Sequence, residues 1–310
     1  MIDIVVTYVY ERDKTWAQEF KYWKDKEIRE GKTNKKNRQA FGEERTREWD
    51  MFKYWFRGIE QNCPWINKVF LIVQNKNHLP KWLNKNNPKL RIVYHNEFIP
   101  SEYLPTFNST TIQMYLSNIN DLSENYIICD DDCLFLNPIP KETFFKNNKP
   151  VHWNNEIPYE PYWTGGEDGI WWQKLNNTME FIYRITNKKI KYAIYHLPEA
   201  RIKSFEKEIL NKYGEEIRNS LIVSKFRNPK NLACCMFTDL LKIFNKVEWG
   251  NPYKNSCYCC LKSNVNFNEY SNKDIVCFND TQALDDYNIT KKKLIDFLEN
   301  KFPNKSSYEV

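Results

Sequence analysis

Residues Leu122–Leu136 read LSENYIICDDDCLFL. The apolar run Tyr126–Cys129 passes directly into Asp130, Asp131 and Asp132, and a second apolar run, Leu134–Leu136, follows. A short continuous apolar run bounded by polar residues reads as a buried strand, so carboxylates stand at a strand tip. In open α/β sheets, ligands bind beyond the carboxyl ends of the strands, where acidic groups can meet a cation without entering the core. Three adjacent Asp repel one another unless a cation, Arg or Lys compensates, and an oxygen-rich cluster suits Mg²⁺ or Mn²⁺. An acidic triplet is also an ordinary exposed turn; its position between two apolar runs brings the two readings to equal weight.

Outward from this point, Ile2–Val9 (IDIVVTYV), Lys68–Val73 (KVFLIV) and Leu90–His95 (LRIVYH) read as further strands. Between the first two, Trp49, Phe52, Phe56 and Ile59 recur at steps of three and four, which predicts an amphipathic helix over Glu44–Asn62, closed by Pro64. Thr110–Ile119 reads as a short helix. This alternation predicts an α/β sheet flanked by helices. After Pro138, Trp153, Trp163, Trp171 and Trp172 accompany Gly165, Gly166 and Gly169. That stretch reads as a loop or insertion whose rings either pack in the core or stack on acceptor sugars. Helices are expected over Glu206–Arg218, Leu232–Phe244 and Lys291–Lys301. With no repeat and no flexible linker, a single catalytic unit over 1–310 is expected, with an α/β half (1–140) and an elaborated helical half (141–310).

The 310 residues, 41% hydrophobic and 28% charged, suffice for a core. Mean hydropathy is −0.74, and 16% aromatics imply that large rings supply much of the burial. No run approaches the roughly 20 apolar residues of a membrane span. Nine Cys without a secretory leader favour reduced thiols and a cytoplasmic location, with peripheral attachment to the membrane's cytoplasmic face left open. Cys257, Cys259, Cys260 and Cys277 offer four thiolates to a structural zinc, but not in paired knuckle spacing, and scattered thiols is the preferred reading. The net charge of +6 falls short of the dense basic face of nucleic-acid binders. The basic stretch Gly31–Arg38 (GKTNKKNR) reads first as a solvated loop, and second as a clamp for a phosphate-bearing acceptor or a membrane surface.

The ordered series WDMFKYWFRGIEQNCPWINKVFLIV (Trp49–Val73), PKWLN (Pro80–Asn84), NPKLRIVYHNEFIP (Asn87–Pro100), LPTFNS (Leu104–Ser109) and LSENYIICDDDCLFL resembles the second of four sequence blocks of the Stealth family, the capsular polysaccharide phosphotransferases. IDIVVTYV resembles the first block, although Tyr10, Glu11 and Arg12 depart from the usual turn. YHLPEA (Tyr195–Ala200) with SKFRNPKNLA (Ser224–Ala233) resembles the third, and VCFND (Val276–Asp280) the fourth. The resemblance implies a GT-A-like, Rossmann-like sheet of the nucleotide-diphospho-sugar transferase type. It also implies transfer of a hexose 1-phosphate from a nucleotide sugar, a UDP-sugar, to a glycan hydroxyl, with UMP released. The implied partners are that donor, a glycan acceptor and a candidate capsule-assembly complex at the inner membrane.

Expected roles follow residue by residue. Asp131 and Asp132, with Asp130 where the family commonly has Asn, are expected to hold the divalent metal. His196 and Asp280 are alternative proton acceptors, since imidazole titrates near neutrality; Arg227 offers a fixed cationic fork to phosphate. Asp3 and Thr7 are expected near uridine or its ribose, Arg57 at the donor phosphate, and Asn108 and Asn279 at sugar or phosphate. Two rivals are carried: a GT-A glycosyltransferase, which would release UDP, and a non-catalytic glycan-binding protein, which would need neither metal nor nucleotide.

Overall fold

The computed structural model describes residues 1–310 except 11, 154–156, 159–168, 191 and 194–195, and the side chains of 157–158 and 192–193. Glu11, Trp163, Gly165, Gly166 and Tyr195, singled out above, therefore lie outside the described residues. Strands β1 (Ile2–Thr7), β2 (Val69–Val73), β3 (Leu90–Tyr94) and β4 (Asn125–Asp130) are all parallel, and β6 (Glu199–Ile202) runs antiparallel on the edge beside β4. The order across the sheet is β6-β4-β1-β2-β3. This is the mixed α/β, parallel-rich sheet that the alternating pattern predicts.

Strand periodicity divides the core. Ile4, Val6, Val69, Leu71 and Val73 face one side with Phe52, Trp55, Phe56 and Ile59 of helix α2 (Phe52–Asn62). Val5, Phe70 and Ile72 face the other, against residues of helices α5 (Lys203–Leu221) and α6 (Met236–Ile243). Burial on both faces is why these strands read as continuous apolar runs rather than alternating ones. A second sheet, β7 (Cys257–Cys260), β8 (Ile275–Asn279) and β5 (Cys133–Phe135), packs under α2 and the C-terminal helix α7 (Tyr287–Lys301). Gly58 of α2 makes this approach close: a Cβ there would sit 2.6 Å from the Phe135 carbonyl oxygen.

Several boundaries differ from expectation. The helix expected from Glu44 begins only at Phe52, because Asp50 adopts a left-handed φ of 55° and ends any helical path before it. The helix read at Thr110–Ile119 is α3 (Ser109–Met114) followed by a 3₁₀ turn, and the one read from Leu232 starts at Met236. Two long helices carry no expectation above: α1 (Lys14–Arg29), capped by the Asp13 side chain, and α4 (Ile170–Thr186). The second is a correction, since Trp171 and Trp172 lie on this helix and not in a loop. No helix among the described residues is long and apolar enough to cross a membrane.

Candidate active site

The β4 tip is the site's anchor. Thr7 of β1 is in register with Asp130 of β4, so two adjacent parallel strands end together. Because β6 runs antiparallel to β4 with Glu199 opposite Ile128, the chain entering β6 passes the end of β4 and delivers His196 there. Its Nε2 lies 3.6 Å from Asp130 Oδ2 and 3.7 Å from Asp132 Oδ2. On the other side β8 pairs with β5, Cys277 opposite Cys133; Phe278 N–H donates to the Asp132 carbonyl at 2.8 Å, and Asn279 Nδ2 donates to Asp132 Oδ2 at 3.1 Å. His196 is thus 64 residues from Asp132, and Asn279 is 147 residues away, yet both meet its carboxylate.

Ligand atoms of Asp130, Asp132 and His196 all lie within 4.8 Å of one another. Two carboxylates and an imidazole, open to solvent on one side, fit a divalent cation that takes further oxygens from water or a ligand. β4 ends at Asp130 and Asp131–Asp132 form the turn that leads into β5, and this turn sets Asp130 and Asp132 together. Asp131 does not join this set. Its field is shared with the other two Asp and with Glu48, and it raises the Tyr8 phenol in turn. Burial, then Asp132, Asp130 and Glu48, holds the Asp131 carboxyl well above the usual range. Burial opposes charge on His196, but the Asp132 hydrogen bond and the two carboxylate fields overcome it and push the imidazole up to about 10.

Three cations gather near the acids. Arg227 donates from Nε and Nη2 to Ser109 Oγ, at 3.2 and 2.7 Å. Burial and the field of Arg45 lower its guanidinium to about 9, against the pull of Asp130. Arg45, on a 3₁₀ turn, feels all three Asp carboxylates. The third cation is Lys174 of α4, only 4% exposed, with Nζ donating to the Thr110 hydroxyl. Burial, then Arg227, lowers its ammonium to about 7. Gln113 Nε2 donates to Asp130 Oδ1 at 3.2 Å. Arg45, Lys174 and Gln113 are absent from the sequence expectations. Lys174 left one signal: in IWWQKLNNTMEFI it occupies the stripe Ile170, Lys174, Thr178, Phe181, where an apolar residue is expected.

Other expected residues serve the scaffold. Asp3 is fully buried, accepting from Asn67 Nδ2 (2.7 Å), Lys68 N (3.1 Å) and Ser123 N (2.8 Å). It lies four residues before Thr7 on β1, about 13 Å from the strand's carboxyl end at roughly 3.3 Å per residue, which is a correction to its placement beside uridine. Arg57 is also corrected: it clasps Glu309 from Nε and Nη2 (2.8 and 2.7 Å) and donates from Nη1 to the Phe302 carbonyl (2.7 Å), so each of its three nitrogens is engaged by the C-terminal segment. Asn108, fully buried, caps α3 through Thr110 N (3.1 Å) and donates to Asn231 Oδ1 (2.9 Å). It touches neither acid nor cation, but it holds Ser109 and Thr110 in place. Asp280 accepts from Arg47 Nη1 at 2.9 Å on both oxygens and from Trp49 Nε1 at 3.1 Å, and is not part of the Asp130–Asp132–His196 set. Loop Gly31–Arg38 is tied to the Arg227 segment, Asn37 Nδ2 to Arg227 O (3.2 Å) and Asn228 Nδ2 to Lys32 O (3.0 Å). Among the described residues, Cys257, Cys259 and Cys260 gather into no metal-sized group.

Residues 45–152 match the model of Stealth protein conserved region 2. Over its full length the chain is similar to a capsular polysaccharide phosphotransferase WcwK of Streptococcus pneumoniae, 31% identical over 346 aligned positions that cover 99% of this chain and 98% of the relative. A second WcwK from that organism is 32% identical over 343 positions, with the same coverage. The receptor polysaccharide phosphotransferase WefC of Streptococcus oralis is 27% identical over 345 positions, covering 100% of this chain and 99% of the relative. With a parallel sheet whose tip carries the acids of this shared region, and identity that runs the length of both chains, the protein belongs to the Stealth family of capsular polysaccharide phosphotransferases.

Proposed function

We propose that the chain transfers a hexose 1-phosphate from a UDP-sugar to a glycan hydroxyl of a capsular or other cell-surface polysaccharide, forming a phosphodiester and releasing UMP, on a GT-A-like fold. The observation that carries this reading is the convergence of two charge types at one strand tip. The fields of Asp130 and Asp132 reach Arg45, that of Asp130 reaches Arg227, and Lys174 lies in the field of both arginines, beside the Asp130–Asp132–His196 set. Phosphoryl transfer asks little covalent chemistry of a protein and much charge stabilisation and positioning, and three neighbouring cations, one of them the buried Lys174, repel one another unless an anion completes them.

Asp130, Asp132 and His196 are the residues that would hold Mg²⁺ or Mn²⁺, which would neutralise charge on the phosphate when bound. The chain itself does the rest. Arg227 and Arg45 hold phosphoryl oxygens, Ser109 and Thr110 orient Arg227 and Lys174, and Asn279 fixes the Asp132 carboxylate. Of the two proton acceptors considered, His196 is given to the cation, since its carboxylate neighbours hold it protonated otherwise; Asp280, between Arg47 and Trp49, is the one left to take the acceptor proton. The protein acts in the cytoplasm, where nucleotide sugars are present.

The test is incubation of the protein with a panel of UDP-sugars, an oligosaccharide acceptor and Mg²⁺ or Mn²⁺, read by phosphorus NMR and mass spectrometry. A phosphodiester product with UMP is expected. Release of UDP with a simple glycosidic product overturns the proposal in favour of ordinary glycosyl transfer.

A further inference from the structure

A second group of metal-binding side chains lies directly behind the first. Ligand atoms of Asp132, Cys133 and Cys277 also fall within 4.8 Å of one another. Cys133 and Cys277 are opposite partners in the antiparallel β5–β8 pair, so their side chains leave the sheet on the same side, with Cβ atoms roughly 5 Å apart. Both are buried, at 1% and 0% exposure. The Cys133 thiol donates to Asp132 Oδ1 at 3.5 Å, while Asp132 Oδ2 accepts from Asn279 and faces His196. One carboxylate therefore has an oxygen turned to each group: a hard set of acid and imidazole in front, and a soft pair of sulfurs behind.

We propose that Asp132, Cys133 and Cys277 form a thiophilic metal site, selective for Zn²⁺ over Mg²⁺, whose occupation withdraws Asp132 from the cleft and inhibits the enzyme. Thiolate ligands select Zn²⁺ and Cd²⁺, whereas carboxylate and water suit Mg²⁺ and Mn²⁺. Tetrahedral zinc with Zn–S near 2.3 Å needs sulfurs roughly 3.8 Å apart, a spacing reached from the present one by small side-chain rotations. The ion enters past Asp132, whose side chain keeps 18% of its surface open to the cleft. Binding converts two thiols to thiolates and releases two protons to solvent; Asp132 is the third ligand and a water the fourth. The inhibition rests on the transferase reading above, whereas the binding does not.

The test titrates the metal-free full chain with Cd²⁺, following the sulfur-to-cadmium charge-transfer absorbance and the cadmium NMR shift. One equivalent is expected to bind with two sulfur ligands, to be displaced by Zn²⁺ and to persist in excess Mg²⁺. Cys277→Ser and Cys133→Ser, checked for folding by circular dichroism, should lose the band and bind at least about tenfold more weakly, given that even supporting groups around a metal contribute 10- to 100-fold. Cys260→Ser, at an exposed thiol, should change nothing. Cadmium bound to the wild type through nitrogen and oxygen alone overturns the site even if neither buried variant folds, as does a band unchanged in both variants. In the transferase assay with excess Mg²⁺, Zn²⁺ should inhibit the wild type and spare the thiol variants. Undiminished inhibition in those variants overturns the link through Asp132. A normal cadmium site in a protein with no transfer activity leaves the metal site standing and rejects the transferase reading instead.

Discussion

Asp131 and its two neighbours share a sequence and not a role. Asp130 and Asp132 converge on His196, while Asp131 shares its field with Glu48 and Tyr8. Asp130→Asn and Asp132→Asn are therefore expected to weaken Mn²⁺ binding about 10- to 100-fold, on the scale of groups that shape a metal site, and Asp131→Asn to weaken it far less; equal losses across the three, measured by calorimetry, would reject the division. Lys174 offers a second test. Burial and Arg227, with Arg45 adding and Cys234 and Cys235 opposing, lower its ammonium to about 7. Between pH 7 and the ordinary lysine value the unfolded chain binds a proton that the folded chain does not, so this residue's contribution to stability rises with pH, by up to about 1.4 kcal/mol per unit. Denaturant titrations of wild type and Lys174→Met at pH 7 and pH 9 should show the wild type gaining on the variant. A constant difference would show that the buried ammonium keeps its proton throughout.

At the scale of elements, α2 links the core to the C-terminal segment, because one face packs in the core and Arg57 binds Glu309. The Arg57–Glu309 pair is nearly closed to solvent, with side chains 7% and 3% exposed. Removing one partner of a buried pair strands the other charge, at a cost of about 3–5 kcal/mol. Arg57→Met is expected to lower unfolding free energy by that amount, while KM for the donor in the folded fraction stays at the wild-type value. A large rise in KM with little loss of stability would return Arg57 to the phosphate. The β6 edge strand matters for a different reason. Its antiparallel direction turns the His196 segment over the β4 tip, whereas a parallel strand would have delivered that segment to the opposite end of the sheet.

For the whole molecule, two sheets meet at Asp132. The parallel sheet ends with β4 at Asp130, and the β7–β8–β5 sheet takes up the chain at Cys133, just past the turn that holds Asp132, so a cation held at this junction links both layers. Mn²⁺ at about 100 times its dissociation constant should raise unfolding free energy by about 2.7 kcal/mol through binding to the native state alone. Chelation should reverse the gain, and Asp132→Asn, binding about 10- to 100-fold more weakly, should cut it to about 0.4–1.4 kcal/mol. A thermal shift identical with and without Mn²⁺ in the wild type would exclude cation binding by these acids.

Local pattern by itself determined the buried strands, the amphipathic face of α2 and the acids at the end of β4, because the period of apolar residues and the length of each run express burial directly. The ordered motifs likewise placed the chain in its family. Tertiary structure alone decided which side chains share the cleft. Asp3 and Arg57 are polar residues in shared motifs, yet each has every nearby donor or acceptor it needs within the scaffold. Lys174, Arg45 and Arg227 lie far apart along the chain and meet only when α4, the turn before Asp50 and the segment after α5 close on the β4 tip. Sequence spacing carries no information about such encounters, since strand direction, register and helix packing set them, and these are properties of the assembled sheet.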